Sequence, residues 1–419
     1  MRALLVLPPL LLAIAIARFG YDVPFMDEWE FLLPVIEKSM NGTLVFADLM
    51  AQNNEHRLLF PRLIMLPLAR LTQWDLRWEL ALTYCFALVS FALLARFALK
   101  QTPAPLWLLP ILSALHFSLA QWQVFMWSLH LQVALSALAA LGAIMLLARQ
   151  RVLYGHVVVA GMLALVAVFS HGSSWAIWPA GCCVIAFRTD YTGTQRTQYL
   201  IVWLTALATT AIFYFTGFVN TAASGRIAAM VTQPIGILRY MALYLGTPLF
   251  TVNMYGAIVA GAVGMLTLPF LAMRVWRANT LSPHARAGIL GMAAFALSAA
   301  LITASGRLYD AADQGMSSRY VPFSTFFWYA FVLLLAGVPA SGQLHVRRVV
   351  AVFAALLTIV AAHGWYVCDE RWDGIQPARD ALIHGGDPAM LQRLHPRIHV
   401  VEQGRDFMRA HKLSVFRDE

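Results

Sequence analysis

Long apolar segments alternate with short polar loops along most of this chain of 419 residues. Each segment holds about twenty mainly apolar residues, enough for a helix to cross roughly 30 Å of hydrocarbon. The runs are continuous, whereas strands of a membrane barrel would alternate over about ten residues. The pattern predicts an all-α polytopic membrane protein with about eleven transmembrane helices, at 3–19, 77–98, 104–120, 124–148, 152–170, 172–187, 198–218, 253–273, 285–304, 320–338 and 347–366.

Three segments need a separate interpretation. Residues 58–72 and 233–250 are interrupted by proline and arginine, which favours a helix lying along the outer interface for the first. For the second, a re-entrant or surface-lying helix is predicted. The first apolar segment resembles a signal peptide with Arg2 ahead of it, but no small-residue cleavage site follows. We therefore expect segment 3–19 to be a retained span.

Basic residues predict the orientation of the spans, because cytoplasmic loops of membrane proteins are rich in arginine and lysine. With the N-terminus in the cytoplasm, the inner loops carry one acid, Asp190, and many cations: Arg96, Lys100, Arg149, Arg151, Arg188, Arg196, Arg274, Arg277, Arg286, Arg347 and Arg348. The formal net charge of +9 is then explained by topology, and no nucleic-acid partner is expected. The same orientation places the polar loop 20–76 outside.

Composition agrees with this division of the chain. Hydrophobic residues make up 60% of the sequence, charged residues 12%, and the mean hydropathy is +0.66, which together exclude an ordinary soluble domain. We predict one transmembrane domain over 1–366, with loop 20–76 carrying the site, and a small polar tail over 367–419 on the outer face. Three of the four cysteines fall in predicted spans, which argues against a disulfide framework.

Charged residues cluster unusually in the first outer loop, at Met26–Glu30 and again at Asn53–Arg57. Carboxylates at a membrane surface carry a solvation cost and indicate a functional site. Other polar residues fall on the same predicted side. The candidate site contains Asp27, Glu28, Glu55, His56, Arg57, Arg62, Trp127, His130, His171, Arg307, Arg319 and Tyr320.

These residue types suit a transfer reaction on an anionic substrate. A carboxylate can deprotonate an acceptor hydroxyl, arginines can hold a phosphate, and aromatic rings can stack on a sugar. The spacing of Gln123, Trp127 and His130 predicts that they share one helical face. A divalent cation is compatible with Asp27, Glu28 and His56, although no spacing of ligands requires a metal.

The opening of the chain resembles that of glycosyltransferases with the GT-C fold. The shared order is a span, then Pro24-x-x-Asp27-Glu28, then Glu37-Lys38-x-x-x-Gly42, then Asn54-Glu55-His56-Arg57 with Pro61 and an apolar helix. The match is closest to the aminoarabinose and protein O-mannosyl transferase group and covers roughly residues 1–70. The chain lacks the large soluble C-terminal domain of several relatives.

The resemblance implies a transfer from a polyprenyl-phosphate-linked sugar to an envelope glycan or lipid acceptor, with no required cofactor. It implies an enzyme of the bacterial inner membrane whose active site faces the periplasm. Asp27 would be the catalytic carboxylate with Glu28 beside it. Arg57, Arg307 and Arg319 would stabilise the phosphate.

Other interpretations of the same residues stay open. Acids favour the N-terminal end of a helix, so Asp27 and Glu28 could be solvated surface residues, as Glu30 and Glu37 are expected to be. The tryptophans near 122, 127, 175 and 178 fit an interfacial aromatic belt. His130 and His171 could be polar contacts between helices. At the level of function, the alternatives are a lipid or polysaccharide transporter and a membrane-bound acyltransferase that uses His171 or His130 as its base.

Overall fold

The computed structural model describes residues 2–103, 105–219, 232–308, 311 and 313–418, and the first residue of the span predicted at 104–120 lies outside those ranges. The protein is 79% helical. Eight helices within the described part are long and apolar enough to cross a membrane: Leu76–Gln101, Leu108–Met126, Ser128–Leu147, Gly193–Phe215, Met254–Ala278, Pro283–Arg307, Ser318–Ala336 and Ala340–His384. The prediction of an all-α polytopic membrane protein is confirmed.

The predicted number of eleven spans is not confirmed. Two further apolar helices, Ala3–Phe19 and Tyr154–Val168, are shorter than those eight. The segment expected at 172–187 forms a 3₁₀ turn and a ten-residue helix, Ile177–Ala186, whose rise is only about 15 Å. Likewise, the helix in the broken segment 233–250 extends over 13 residues, Pro234–Gly246, or about 20 Å.

The helices are named here in chain order. They are α1 Arg2–Phe19, α2 Leu33–Met40, α3 Phe46–Met50, α4 Leu59–Thr72, α5 Leu76–Gln101, α6 Leu108–His116, α7 Trp122–Met126, α8 Leu131–Leu147, α9 Tyr154–Val168, α10 Ile177–Ala186, α11 Gly193–Phe215, α12 Pro234–Gly246, α13 Met254–Ala278, α14 Pro283–Arg307, α15 Val321–Ala336, α16 Gln343–His384, α17 Pro388–Leu391 and α18 Ile398–Ala410. The two short strands β1 Gln52–Asn53 and β2 His56–Arg57 pair antiparallel in the first loop.

The centre of the bundle is formed by α14 and α15. Almost every residue of α15 is buried, and Phe326 packs its ring 4.6 Å from that of Phe295 on α14. Beside them, α12 and α13 approach closely enough that a Cβ on Gly261 would lie 1.8 Å from the carbonyl oxygen of Ala242. Small residues permit this backbone contact between helices in a membrane, where apolar surface alone gives little drive for association.

A second apolar core lies outside the bundle and joins the first loop to the C-terminal tail. Trp29 and Leu33 of the loop contact the tail helix α18, where a Cβ on Gly404 would lie within 2.8 Å of both side chains. Asp22 accepts a hydrogen bond of 2.9 Å from Arg379 on α16. The long helix α16 therefore continues past the predicted span at 347–366 and carries the tail back onto the loop.

Packing of the tail on the loop can be tested with two matched glycine substitutions. Gly404→Ala places a methyl group against Trp29 and Leu33, and we expect overpacking to cost about 1–3 kcal/mol of folding free energy. Gly374→Ala, in the middle of α16, meets nothing within 4 Å and should gain up to about 1 kcal/mol from helix propensity. Thermal unfolding in detergent measures both. An equal rise in Tm for the two variants would contradict the close packing of α18 on the first loop.

Candidate functional site

Asp27 lies between two local departures from regular backbone geometry. The preceding residue, Met26, has a φ of +46°, a left-handed conformation that is unfavourable for a side chain of this size. The following residues, Glu28–Leu32, form a π-helical turn, a feature often found at functional sites. The amide of Met26 donates a hydrogen bond of 2.7 Å to the carbonyl of Leu394 in the tail. The tail thus holds the strained residue next to Asp27 in place.

Glu28 is buried and makes three hydrogen bonds. Its carboxylate accepts from the amide of Phe25 at 2.7 Å, from the amide of Leu129 at 2.8 Å and from the Ser128 hydroxyl. Burial raises its pKa to about 7, although each of the three donors lowers it. These contacts tie the first loop to the start of the helical segment at 128–147, so Glu28 has a positioning role in this structure.

Asp27 differs from its neighbour because it is only partly buried and its carboxylate has no hydrogen bond or salt bridge within the described residues. Desolvation raises the pKa of Asp27 above its usual range, while the nearby Arg319 and His395 oppose that rise. A carboxylate with a raised pKa and no fixed donor can accept a proton from a substrate. Of the two adjacent acids, Asp27 has the chemistry of a general base.

Arg319 is the cation around which the predicted loops converge. Its charge acts on Asp27 of the first loop and lowers the pKa values of His56 and His171, so it lies within electrostatic reach of all three. The turn that carries it is held by Gln123, whose side-chain oxygen accepts from the Arg319 amide at 3.3 Å. The guanidinium itself contacts the Tyr320 ring at 5.3 Å and forms no salt bridge among the described residues.

His56 and His171 stack with their ring centres 4.4 Å apart. Each accepts a backbone amide at Nδ1: from Gly172 at 3.0 Å for His56 and from Ser173 at 3.2 Å for His171. A backbone N–H can only donate, so a neutral ring in this position carries its proton on Nε2. Burial is the main cause that lowers the pKa of His56, to about 4, and that of His171. Both rings are therefore neutral donors near neutral pH.

Glu55 and Arg307 form a salt bridge of 2.8 Å between the β-hairpin and the end of α14. Both side chains remain partly exposed. The hairpin turn that presents Glu55 contains Asn54 with a φ of +48°, which asparagine tolerates better than most residues. Two predicted members of the site, far apart in sequence, are thus brought into direct contact.

Arg57 and Arg62 are buried among backbone carbonyls. Arg57 donates to the carbonyls of Tyr214 and Met50, both at 2.6 Å, and to that of Thr216 at 2.7 Å. Arg62 donates to three carbonyls of residues 48–51 through Nη1, and burial lowers its pKa to about 10. In this structure both arginines brace the first loop. Contact of Arg57 with the substrate phosphate stays a prediction.

The aromatic candidates pack mainly against protein. Trp127 is buried, with its ring 5.1 Å from Phe25 and 4.3 Å from His130. Tyr320 is buried and stacks on Tyr244 at 5.6 Å. The prediction that Gln123, Trp127 and His130 share one helical face is wrong, because the helix ends at Met126 and Trp127 is extended. His130 nevertheless meets Gln123, whose carbonyl lies 3.1 Å from its Nδ1.

Some residues near Asp27 and Glu28 were not found from the sequence. Ser128 supplies a donor to Glu28, and the ring of His395 in the tail lies 3.3 Å from the Glu30 carboxylate and close enough to Asp27 to lower the pKa of that carboxyl. The helical spacing of buried Val401, Gly404 and Met408 is the sequence signal that could have brought the tail to the site. Within the described ranges, no group of three His, Cys, Asp or Glu residues is arranged to hold a metal ion.

The roles of the paired acids can be separated by their effect on stability. Glu28→Gln puts an amide NH₂ among three donors, and we expect a loss of about 1–3 kcal/mol because a buried donor is left unsatisfied. Asp27→Asn breaks no hydrogen bond among the described residues and should leave stability close to that of the wild type. Thermal unfolding in detergent compares them. Equal stability of the two variants would argue against Glu28 as the anchor.

No protein-family model matches the chain, and neither a curated protein nor a solved structure matches it. The resemblance to GT-C glycosyltransferases therefore stays a prediction from the sequence.

Proposed function

We propose that the protein is a membrane glycosyltransferase that moves a sugar from a polyprenyl-phosphate donor to an envelope glycan or lipid acceptor. The observation that carries this proposal is that Arg319, a cation with no salt bridge among the described residues, lies within electrostatic reach of Asp27, a carboxylate with no fixed donor. A base and an anion-binding group are the two elements that such a transfer requires.

Asp27 acts as the general base in this proposal. It removes the proton from the acceptor hydroxyl as the oxygen attacks the anomeric carbon and the bond to the donor phosphate breaks. A single base on the attacking side favours inversion at that carbon. The raised pKa of Asp27 brings it nearer to the working pH, which makes proton transfer more effective.

The departing lipid phosphate needs positive charge and hydrogen-bond donors. Arg319 offers the charge, and the neutral rings of His56 and His171 offer Nε2–H groups. Neutral donors add hydrogen bonds to a phosphate without requiring a second buried charge. No nucleotide site is needed, since the donor is already a lipid phosphate.

A polar cavity of about 390 Å³ lies next to the turn that carries Arg319. Trp122, Gln123 and Ser318 line it, and Arg371 of α16 contacts the Trp122 ring at 5.7 Å. Its size falls within the usual range for small-molecule sites. We assign this cavity to the sugar or acceptor. In the proposed topology the N-terminus is cytoplasmic, and the site faces the periplasm of a bacterial inner membrane.

A membrane-bound acyltransferase is the second candidate, and the free ring nitrogen of His130 favours it. A general base needs a free ring nitrogen, which His56 and His171 lack while Nδ1 accepts a backbone amide. In His130, Nδ1 donates to the carbonyl of Gln123, which leaves the Nε2 lone pair as an acceptor. His130→Gln therefore distinguishes the two candidates.

The role of Asp27 as the general base is tested in membranes from cells in which the chromosomal gene is deleted and a plasmid supplies the wild-type or variant gene. Asp27→Asn should lower the rate of formation of the envelope glycan that depends on the gene by about 10²–10⁴-fold, the usual contribution of a general base. Glu37→Gln removes an exposed acid of the same loop and should leave that rate unchanged. Mass analysis of the glycans provides the readout. A full rate for Asp27→Asn with loss of activity in His130→Gln would replace this proposal by acyl transfer.

The effect of the Arg319 charge on the pKa of Asp27 predicts a change in the pH dependence of the reaction. Arg319 lowers the pKa of Asp27, so Arg319→Gln lets that pKa rise further. The base is active when deprotonated, and the acid limb of the rate profile should therefore move to higher pH. Arg319→Lys keeps the charge and should leave the limb near its wild-type position. The measurement is the rate of glycan formation in membrane vesicles across pH. An unchanged acid limb in Arg319→Gln would separate Arg319 from the base.

A further inference from the structure

A recess of about 570 Å³ lies at the end of the bundle opposite Asp27. It opens between the last turns of α5 and the hairpin formed by α8 and α9. The helix α5 begins beside the first loop and has 26 residues, a rise of about 39 Å, so the recess is separate from the candidate site. Its inner wall is apolar and is formed by Leu93, Phe97, Met145, Leu146 and Leu163.

Four cations form the rim of this recess: Arg96 and Lys100 on α5, and Arg149 and Arg151 after α8. All four are exposed, and the described residues provide none of them with a salt bridge. No acid lines the recess. Like charges from two elements of the chain thus surround one apolar surface and repel one another, and an anion bound between them would relieve that repulsion.

The turn after α8 is held rigidly by Arg188. This guanidinium is fully buried and donates to the carbonyls of Leu147 at 3.1 Å and Arg149 at 2.8 Å. Its charge is paired with Asp190 at 2.6 Å. The backbone that presents Arg149 and Arg151 is therefore fixed before any ligand arrives, which reduces the entropic cost of binding.

We propose that this recess binds an anionic phospholipid, with its headgroup phosphate between the four cations and an acyl chain along the apolar wall. The positive-inside rule explains why short loops carry arginine and lysine. It does not require cations of two separate elements to converge on one apolar recess with a buried arginine fixing one side. A basic pocket between helices, with an apolar floor, matches both parts of such a lipid.

Native mass spectrometry of the full chain in detergent tests the lipid site. The wild type should retain phosphatidylglycerol over phosphatidylcholine. Arg149→Gln combined with Arg151→Gln should lower that retention at least about fivefold. The matched control combines Arg347→Gln with Arg348→Gln, which removes two exposed cations from the start of α16, outside the recess. This control should retain the lipid as the wild type does.

A second variant shows whether loss of lipid binding in the first one comes from misfolding of the turn after α8. Arg96→Gln with Lys100→Gln removes the cations of α5 and should cause the same loss, and an unchanged elution volume shows that either variant is folded. Equal loss in the control would reduce the effect to general surface charge and overturn the proposal. Displacement of the lipid by millimolar inorganic phosphate, or equal retention of phosphatidylcholine, would overturn it as well.

Discussion

The buried carboxylate of Glu28 connects the polar half of this protein to its helical bundle. Three donors from two separate parts of the chain converge on it, at Phe25 in the loop and at Ser128–Leu129 before α8. A buried charge without those donors would be costly, so the loop has one favourable position on the bundle. Asp27 precedes this anchor directly, and its placement near Arg319 depends on it.

The tail adds a second constraint on the same segment. Leu394 accepts the amide of Met26, and Arg397 pairs with Glu30, so contacts from the C-terminus fall on both sides of Asp27. The left-handed backbone of Met26 costs energy that the surrounding contacts must offset. Loop, bundle and tail together leave Asp27 partly exposed while its neighbours are fixed. A carboxylate that reacts with a substrate needs a rigid backbone, which fixes its position, and oxygen atoms that are not already hydrogen-bonded within the protein.

The sequence predicts the helices well where the length of an apolar run decides them. The segments at 77–98 and 285–304 correspond to α5 and α14, because a long apolar run in lipid has helix as its main solution. Prediction from the sequence fails where tertiary contacts interrupt a helix, as they do at Trp127. The predicted order of the spans placed the polar loops of the site on one side of the membrane, and in the structure several of their residues meet. The different roles of Asp27 and Glu28 could not be predicted from the sequence. Both side chains end in a carboxylate, and their roles differ because the fold brings hydrogen-bond donors to one and not to the other.

The roles of the arginines are also hard to predict from the sequence, because this chain uses arginine in two ways. Arg57, Arg62 and Arg188 place their N–H groups on backbone carbonyls and brace loops from within. Arg319 and Arg149 keep their guanidinium groups out of salt bridges in the described residues. No property of the residue type separates the groups. The difference is whether the backbone nearby has unpaired carbonyls, which must be satisfied in a buried loop. The arginines that do not hydrogen-bond backbone carbonyls are the ones available to an anionic ligand.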